Sequence, residues 1–386
     1  MTVHPLRSRP GRGPRLLLRA DAGHRLGSGH VMRLAALAEA ALDAGGHACL
    51  LIGGEPTASV AALRGRGLDA IALDGSRCGG HAHGACGCDT IVAAARDLDP
   101  DAVIVDGPHF DPSWVASLRN LAPVVASLDD RGLTPLPTSV VINPGFGAEA
   151  LADRYPDATS RLLGRRFHLL RREFRATTHG AEPPADQVRR VLITMGGSDP
   201  VGATVRLLAV MPGTGLELTV VLGPGFRDHA ALFTAASLAE ARGHHVVTLE
   251  QPRSLPRVLA ACDLAVSAAG GTLAELAYLG RPTYAVAIVD DQVELAARQW
   301  GAGLIAGGHP LTALSDAALA DDLADLLADA PRRRALAAAA SSTIDGLGPS
   351  RILAALASPT TTRRTTRTTA RATVAATAPF TASTRA

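Results

Sequence analysis

Short, uninterrupted apolar runs alternate with longer Ala- and Leu-rich stretches along most of the chain. Runs of this kind are typical of parallel β-strands that are covered on both faces. In the first half the pattern predicts strands at residues 15–20, 48–52, 102–106, 124–128 and 139–142. In the second half it predicts strands at residues 188–194, 218–222, 245–249, 263–267 and 283–288. The stretches between them predict helices, which makes the chain an α/β protein.

The alternation breaks once, at the charged, Pro-containing residues 177–187, which predict an interdomain linker. At 386 residues the chain is also longer than a single hydrophobic core usually supports. We therefore predict two doubly wound, Rossmann-like domains, residues 14–176 and 188–357, that face each other across a cleft. Residues 358–386 consist mainly of Thr, Arg and Ala without periodicity, and predict a disordered tail.

Composition narrows the classes of function. The formal net charge of +2 gives no indication of a nucleic-acid partner, and no apolar run reaches the roughly 18 residues of a membrane span. The odd number of five cysteines argues against a disulfide scaffold and favours a cytoplasmic location. The chain contains no Lys, so all of its strongly basic side chains are arginines. Schiff-base and P-loop chemistry, which require Lys, are therefore excluded.

Two glycine-rich turns join a predicted strand to a predicted helix. The first contains Gly29 and leads into His30, and the second contains Gly270, Gly271 and Thr272. Free amides at a helix start suit a phosphate, although a tight turn that only packs a helix on a strand fits the first motif equally well. Glu275 lies one helical turn further on, where a carboxylate either accepts the two hydroxyls of a ribose or complements the helix dipole.

His30 lies at the start of a predicted helix that faces the cleft. The positive helix dipole disfavours imidazolium, so we expect a neutral imidazole near pH 7, as a general base needs. A capping or phosphate-binding role is the alternative. Asp21 and Arg33 flank His30, and Arg33 either contacts the ligand or pairs with an acidic residue on its helix.

Ordered motifs extend this picture from residue 16 to residue 356. Besides the two turns they comprise 104–106, 128–130, 143–145, 163–164, 169–174, 195–200, 291–292 and 345–346 with Arg351. Together they resemble the pseudaminic-acid pathway hydrolases that remove UDP from UDP-2,4-diacetamido-2,4,6-trideoxy-β-L-altropyranose, and the related spore-coat polysaccharide biosynthesis proteins. That family in turn resembles the two-domain glycosyltransferase architecture called GT-B.

The resemblance implies a nucleotide site in the second domain and a catalytic base in the first. Gly270, Gly271 and Thr272 would bind the diphosphate and Glu275 the ribose, with His30 as the base. The remaining implied substrate-binding residues are Asp21, Gly29, Arg33, Asp106, Gly196, Gly197, Ser198, Asp291 and Gln292.

The implied reaction is hydrolysis of the anomeric C–O bond of a UDP-linked deoxyamino sugar, with inversion and release of UDP. It needs no cofactor, and we expect a monomer or a weak homo-oligomer. A GT-B glycosyltransferase with a UDP-sugar donor is the main alternative, followed by a non-catalytic sugar-nucleotide-binding protein. An NAD-dependent dehydrogenase is disfavoured, because no Gly-x-Gly-x-x-Gly motif is followed by an acidic residue at the right distance.

Two departures from the family pattern concern the first domain. The family has a Tyr two residues after the position of Asp106, in the sugar pocket, whereas this chain continues with Gly107-Pro108-His109. The second is a Gly-rich insertion whose potential zinc ligands are Cys78, His81, His83, Cys86 and Cys88. Their spacing matches no standard zinc finger, so chance accumulation is the preferred interpretation.

Overall fold

The computed structural model describes residues 12–23, 29–73, 88–107, 110–133, 135–157, 159–177, 184–250 and 252–357. They form two parallel β-sheets. The first has seven strands in the order β3-β2-β1-β4-β5-β6-β7. These strands are β1 (Arg15–Ala22), β2 (His47–Gly54), β3 (Asp69–Ala72), β4 (Ala102–Asp106), β5 (Val124–Leu128), β6 (Val140–Asn143) and β7 (Ser160–Leu163).

Helices cover both faces of this first sheet. They are α1 (Gly29–Asp43), α2 (Thr57–Gly65), α3 (Cys88–Leu98), α4 (Pro112–Ser117) and the one-turn α5 (Arg172–Arg175). Leu16 and Leu18 of β1 pack with α1, whereas Leu17 points to the opposite face, where α3 and α4 lie. Because the side chains on both faces of the sheet are buried, the strands are continuous apolar runs.

The second sheet has six parallel strands in the order β10-β9-β8-β11-β12-β13. Its strands are β8 (Arg190–Thr194), β9 (Glu217–Leu222), β10 (His245–Glu250), β11 (Leu264–Ala268), β12 (Thr283–Ala287) and β13 (Ala306–Pro310). The helices that follow α5 are α6 (Ala203–Val210), α7 (His229–Ala241), α8 (Leu255–Ala260), α9 (Thr272–Tyr278), α10 (Asp290–Gly301), α11 (Asp316–Ala328), α12 (Ala330–Ser341) and α13 (Gly348–Ala357). The predicted fold class, two doubly wound α/β domains, is confirmed.

Three strands have no counterpart in the sequence prediction: β3, β7 and β13. All three are edge strands. An edge strand is only partly covered, and β13 reads Ala-Gly-Gly-His-Pro, so none of them has the continuous apolar run by which the inner strands are recognised.

The last helix, α13, returns to the first domain. Ile352 and Leu356 lie in the apolar cluster built around α1 and β1, although the sequence pattern assigns residues 188–357 to the second domain. Gly348 permits this close packing, because a Cβ there would lie 2.1 Å from the carbonyl oxygen of His168. Arg351 adds a hydrogen bond from Nη1 to the carbonyl of Arg166, at 3.0 Å.

Two predicted segments, the linker and the tail, lie partly or wholly outside the described residues. The tail at 358–386 and residues 178–183 of the predicted linker lie outside the described residues. Among the residues that are described, no helix is long and apolar enough to cross a membrane.

The turns that follow β8 and β9 touch each other at the carboxyl edge of the second sheet. The amide of Gly225 donates to the carbonyl of Gly197 at 2.8 Å. A Cβ at Gly223 would lie 2.1 Å from the carbonyl oxygen of Gly196. A side chain at position 223 would therefore push the turn at 196–198 away from its neighbour.

We predict that Gly223→Ala lowers the free energy of unfolding by about 1–3 kcal/mol, because overpacking against backbone cannot be relieved by a rotamer change. Gly301→Ala is the matched control, since nothing lies within 4 Å of the added Cβ. Urea denaturation measures both variants. Equal stabilities for the two would show that the turns do not require this close approach.

Candidate functional site

His30 and Asp106 meet at the carboxyl edge of the first sheet. His30 is the second residue of α1, and Asp106 ends β4, the strand next to β1. Nδ1 of His30 lies 2.7 Å from Oδ1 of Asp106. A carboxylate only accepts, so Nδ1 carries the proton and donates it. Nε2 has no hydrogen-bond partner within the described residues and is left as the basic nitrogen.

Arg33 completes the cluster around Asp106. Its Nε and Nη2 contact the two carboxylate oxygens of Asp106, each at 2.5 Å, and the Asp106 side chain is fully buried. Nη1 of Arg33 donates to both oxygens of Asp130 at 2.8 Å. Arg33 thus pairs with acidic residues, but these lie at the ends of β4 and β5 and not on its own helix as the sequence suggested. Asp106, assigned to substrate binding from the resemblance, has its carboxylate enclosed by His30 and Arg33.

The pKa of His30 shifts in the opposite direction to the one that the helix dipole alone predicts. Burial lowers the pKa of the imidazole, but the hydrogen bond and negative charge of Asp106 outweigh burial and raise it above its usual 6.5. The expectation of a lowered pKa considered only the helix dipole and missed this carboxylate. Burial alone would raise the pKa of Asp106, whereas Arg33 and His30 hold it below the usual value.

A turn held by hydrogen bonds to Asp129 positions Asp130 beside Arg33. Oδ1 of Asp129 accepts hydrogen bonds from the amides of Arg131 and Gly132, at 3.0 and 2.8 Å, and so holds the chain directly after β5. Asp130 belongs to the motif at residues 128–130, and the sequence pattern alone assigns it no role. Its position at the end of an inner strand was the available signal.

Asp21 and Gly29 occupy different surroundings. Asp21 lies near the end of β1, almost completely buried, with Oδ1 2.6 Å from Nη2 of Arg19. Gly53 makes room for this pair, because a Cβ there would lie 2.3 Å from the Asp21 oxygen. Gly29 opens α1, and a Cβ added there would meet no atom of the described residues within 4 Å. Pro108 and His109, where the family Tyr would stand, are outside the described residues.

The second glycine turn joins β11 to α9 as predicted. Within the described part of the chain the amides of Gly271 and Thr272 have no hydrogen-bond acceptor, and Gly271 is exposed. Gln292 borders the turn, with Nε2 3.6 Å from the position that a Cβ of Gly270 would take. Its Oε1 accepts from the amide of Ile288 at 3.0 Å, which fixes the side chain.

Gly196, Gly197 and Ser198 follow β8, the strand next to β11, and so lie at the same edge of the sheet as the Gly270 turn. Gly196 has a φ of +76°, a conformation that glycine adopts without strain. The carboxylate of Asp199 then accepts hydrogen bonds from the first two amides of α6, those of Ala203 and Thr204, at 2.8 and 2.7 Å. These hydrogen bonds hold the turn in place.

Among the described residues, two ion pairs join the domains near these edges. Arg131, after β5, contacts Asp291 at the start of α10 at 2.7 Å, with both side chains mostly exposed. Arg171, before α5, binds Glu275 of α9, with Nη2 2.7 Å from Oε1 and little exposure of either side chain. The carboxyl edges of the two sheets therefore face each other. Burial raises the pKa of Glu275, against the lowering effect of Arg171.

The potential zinc ligands of the Gly-rich insertion fall outside the part of the chain that the structure describes in full. Cys78, His81, His83 and Cys86 lie outside the described residues, as does the side chain of Cys88. Within the residues that are described, no cluster of three or more His, Cys, Asp or Glu side chains could hold a metal ion.

Comparison with known proteins places the fold. No family model and no curated protein sequence matches the chain. Among solved structures, Acinetobacter baumannii MurG is 17% identical, with a TM-score of 0.63 over 89% of this chain and 99% of that one. A putative UDP-N-acetylglucosamine 2-epimerase from Listeria monocytogenes is 15% identical, with a TM-score of 0.59 over 89% and 96%.

A third solved structure is the spinosyn rhamnosyltransferase SpnG complexed with thymidine diphosphate. It is 16% identical and has a TM-score of 0.58 over 89% of this chain and 99% of that chain. At such identities the likeness establishes the fold. The chain therefore has the two-domain GT-B architecture.

The contact between His30 and Asp106 can be tested without a substrate, through the pKa of His30. Asp106→Asn should lower the pKa of His30, because it removes the negative charge that stabilises the imidazolium form. NMR titration of the imidazole resonances measures it. Asp157→Asn is the control, because Asp157 is exposed and pairs with Arg161. A pKa that stays unchanged or rises in Asp106→Asn would contradict the described contact.

Proposed function

We propose that this protein hydrolyses the anomeric C–O bond of a UDP-linked deoxyamino sugar, of the 2,4-diacetamido-2,4,6-trideoxyhexose type, and releases UDP. The observation that carries the proposal is the pair formed by His30 and Asp106 at 2.7 Å, with Nε2 unpaired within the described residues. Across from this pair, the second domain has a glycine turn in which the amides of Gly271 and Thr272 find no acceptor among the described residues.

The nucleotide would bind the second domain. The amides of Gly271 and Thr272 would donate to the diphosphate, and Gly196, Gly197 and Ser198 would border it at the next strand end. Glu275 would accept the ribose hydroxyls. These assignments rest on the family resemblance together with the free amides at the Gly270 turn.

The sugar would then lie between the domains. Asp291 and Gln292 would contact its hydroxyl or amide groups, and Asp21 and Gly29 would border the pocket in the first domain. The exposed pair of Asp291 with Arg131 is of the kind that contributes only about 0–1 kcal/mol, so a ligand could replace it.

In the mechanism, Nε2 of His30 takes a proton from water as the water oxygen attacks the anomeric carbon. The bond from that carbon to the UDP oxygen breaks on the opposite face, so the configuration inverts. UDP leaves with the bonding electrons, and the Gly270 turn stabilises the growing charge. Asp106 stabilises the imidazolium that forms, and Arg33 with Asp130 keeps Asp106 in place.

A GT-B glycosyltransferase is the second candidate. The observation that favours it is the likeness to a rhamnosyltransferase solved with thymidine diphosphate. The same base would then deprotonate an acceptor hydroxyl instead of water. We prefer hydrolysis because the ordered motifs resemble the hydrolase family from residue 16 to residue 356.

Incubation with a panel of nucleotide sugars, without any acceptor, tests the proposal. We predict release of UDP from an N-acetylated deoxyamino sugar, with kcat/KM rising with pH through a pKa above 6.5, because His30 must lose its proton to act. His30→Ala should lower the rate about 10²–10⁴-fold and leave UDP affinity unchanged.

His229→Ala is the matched control, because His229 also lies at a helix start but is mostly exposed. Full turnover in His30→Ala would remove His30 as the base. Release of UDP only after an acceptor is added would favour the transferase.

A further inference from the structure

Residues 170–175 form a segment held by both domains. Leu170 and Phe174 are buried in the apolar cluster of the second domain that also contains Leu276 of α9. The amide of Arg172 donates to Oε2 of Glu39, on α1 of the first domain, at 2.8 Å. The segment thus has one side in each domain.

Arg171 extends from this segment to α9. Its Nε and Nη2 both contact Oε1 of Glu275, at 2.8 and 2.7 Å. Its Nη1 lies 2.8 Å from Glu173, and its guanidinium stacks over the ring of Phe174, 4.9 Å from the ring centre. Because these contacts hold the planar guanidinium of Arg171 on three sides, its orientation is fixed.

These contacts determine how Glu275 is presented. Arg171 engages Oε1, and no hydrogen bond to Oε2 is formed by any residue that the structure describes. Burial of Glu275 disfavours its charged form, and Arg171 is the cation that most strongly opposes this effect. Without Arg171, the carboxylate would lose both its orientation and its principal counter-charge.

We propose that Arg171 is the positioning residue of the nucleotide site, which orients Glu275 for the ribose hydroxyls and acts through that carboxylate without touching the nucleotide. The inference rests on the proposed function, in which Glu275 binds the ribose. It implies that the nucleotide site of the second domain is complete only when the segment anchored to α1 is in place. The sequence motif at 169–174 thereby acquires a role.

A double-mutant cycle on UDP affinity, measured by calorimetry, tests whether Arg171 acts through Glu275. Glu275→Gln and Arg171→Met should each weaken UDP binding about tenfold or more, the value of a charge-assisted hydrogen bond. The double variant should bind no more weakly than Glu275→Gln alone, because nothing remains for Arg171 to orient. Arg171→Lys keeps the charge and should recover part of the affinity.

Arg172→Met is the matched control, since this neighbouring side chain binds Asp43 and not Glu275. It should bind UDP as the unmodified protein does, and thermal unfolding of all variants separates loss of binding from loss of folding.

Multiplicative losses in the double variant would show that Arg171 contacts the nucleotide directly, and would overturn the inference. Wild-type affinity in Arg171→Met would overturn it as well, while leaving the proposed function intact. If the unmodified protein binds no UDP, or if Glu275→Gln binds it normally, the proposed nucleotide site itself is wrong.

Discussion

The buried carboxylate of Asp106 is the constraint on which the candidate site depends. A charge with no exposure to water is costly unless it is paired and hydrogen-bonded. Here the two oxygens are met by Arg33, and Oδ1 also by His30. Because β4 fixes Asp106 and α1 carries both partners, satisfying this charge sets the direction of the imidazole. The same contact explains why the pKa of His30 rises although the residue lies at a helix start.

The buried carboxylate of Glu275 in the second domain similarly depends on a cation from another segment of the chain. Glu275 is buried on α9, and its cation, Arg171, is supplied by the segment that is anchored to α1. Helix α13 packs against α1 as well. The helix that carries His30 is therefore linked, through α5, to the helix that begins at the Gly270 turn. In our proposal, these two helix starts hold the base and the diphosphate on opposite sides of one substrate.

Much of the fold could be predicted from the sequence, because inner parallel strands are continuous apolar runs. The edge strands β3, β7 and β13 were missed, since partial exposure weakens that pattern. The return of α13 was missed for another reason: an apolar helix face does not say which domain it covers.

The site was predicted as separate residues rather than as contacts. The glycine turns pointed to His30 and to the Gly270 turn, and the family resemblance added Asp106. The structure brings His30, Arg33 and Asp106 together. The partners Asp130 and Arg171 are 97 and 104 residues away in sequence from the groups that they bind. No local pattern encodes such pairs. The raised pKa of His30 likewise depends mainly on Asp106, a residue 76 positions away in sequence.

The most direct test of the proposed reaction is to determine which product receives the oxygen atom of solvent water during turnover. An N-acetylated UDP-deoxyamino sugar would be incubated with the protein in H₂¹⁸O, without acceptor, and both products analysed by mass spectrometry. Attack by activated water at the anomeric carbon predicts ¹⁸O in the free sugar and none in UDP. Label in the UDP phosphate would show cleavage at phosphorus, and would contradict the arrangement of base and diphosphate proposed for the two domains.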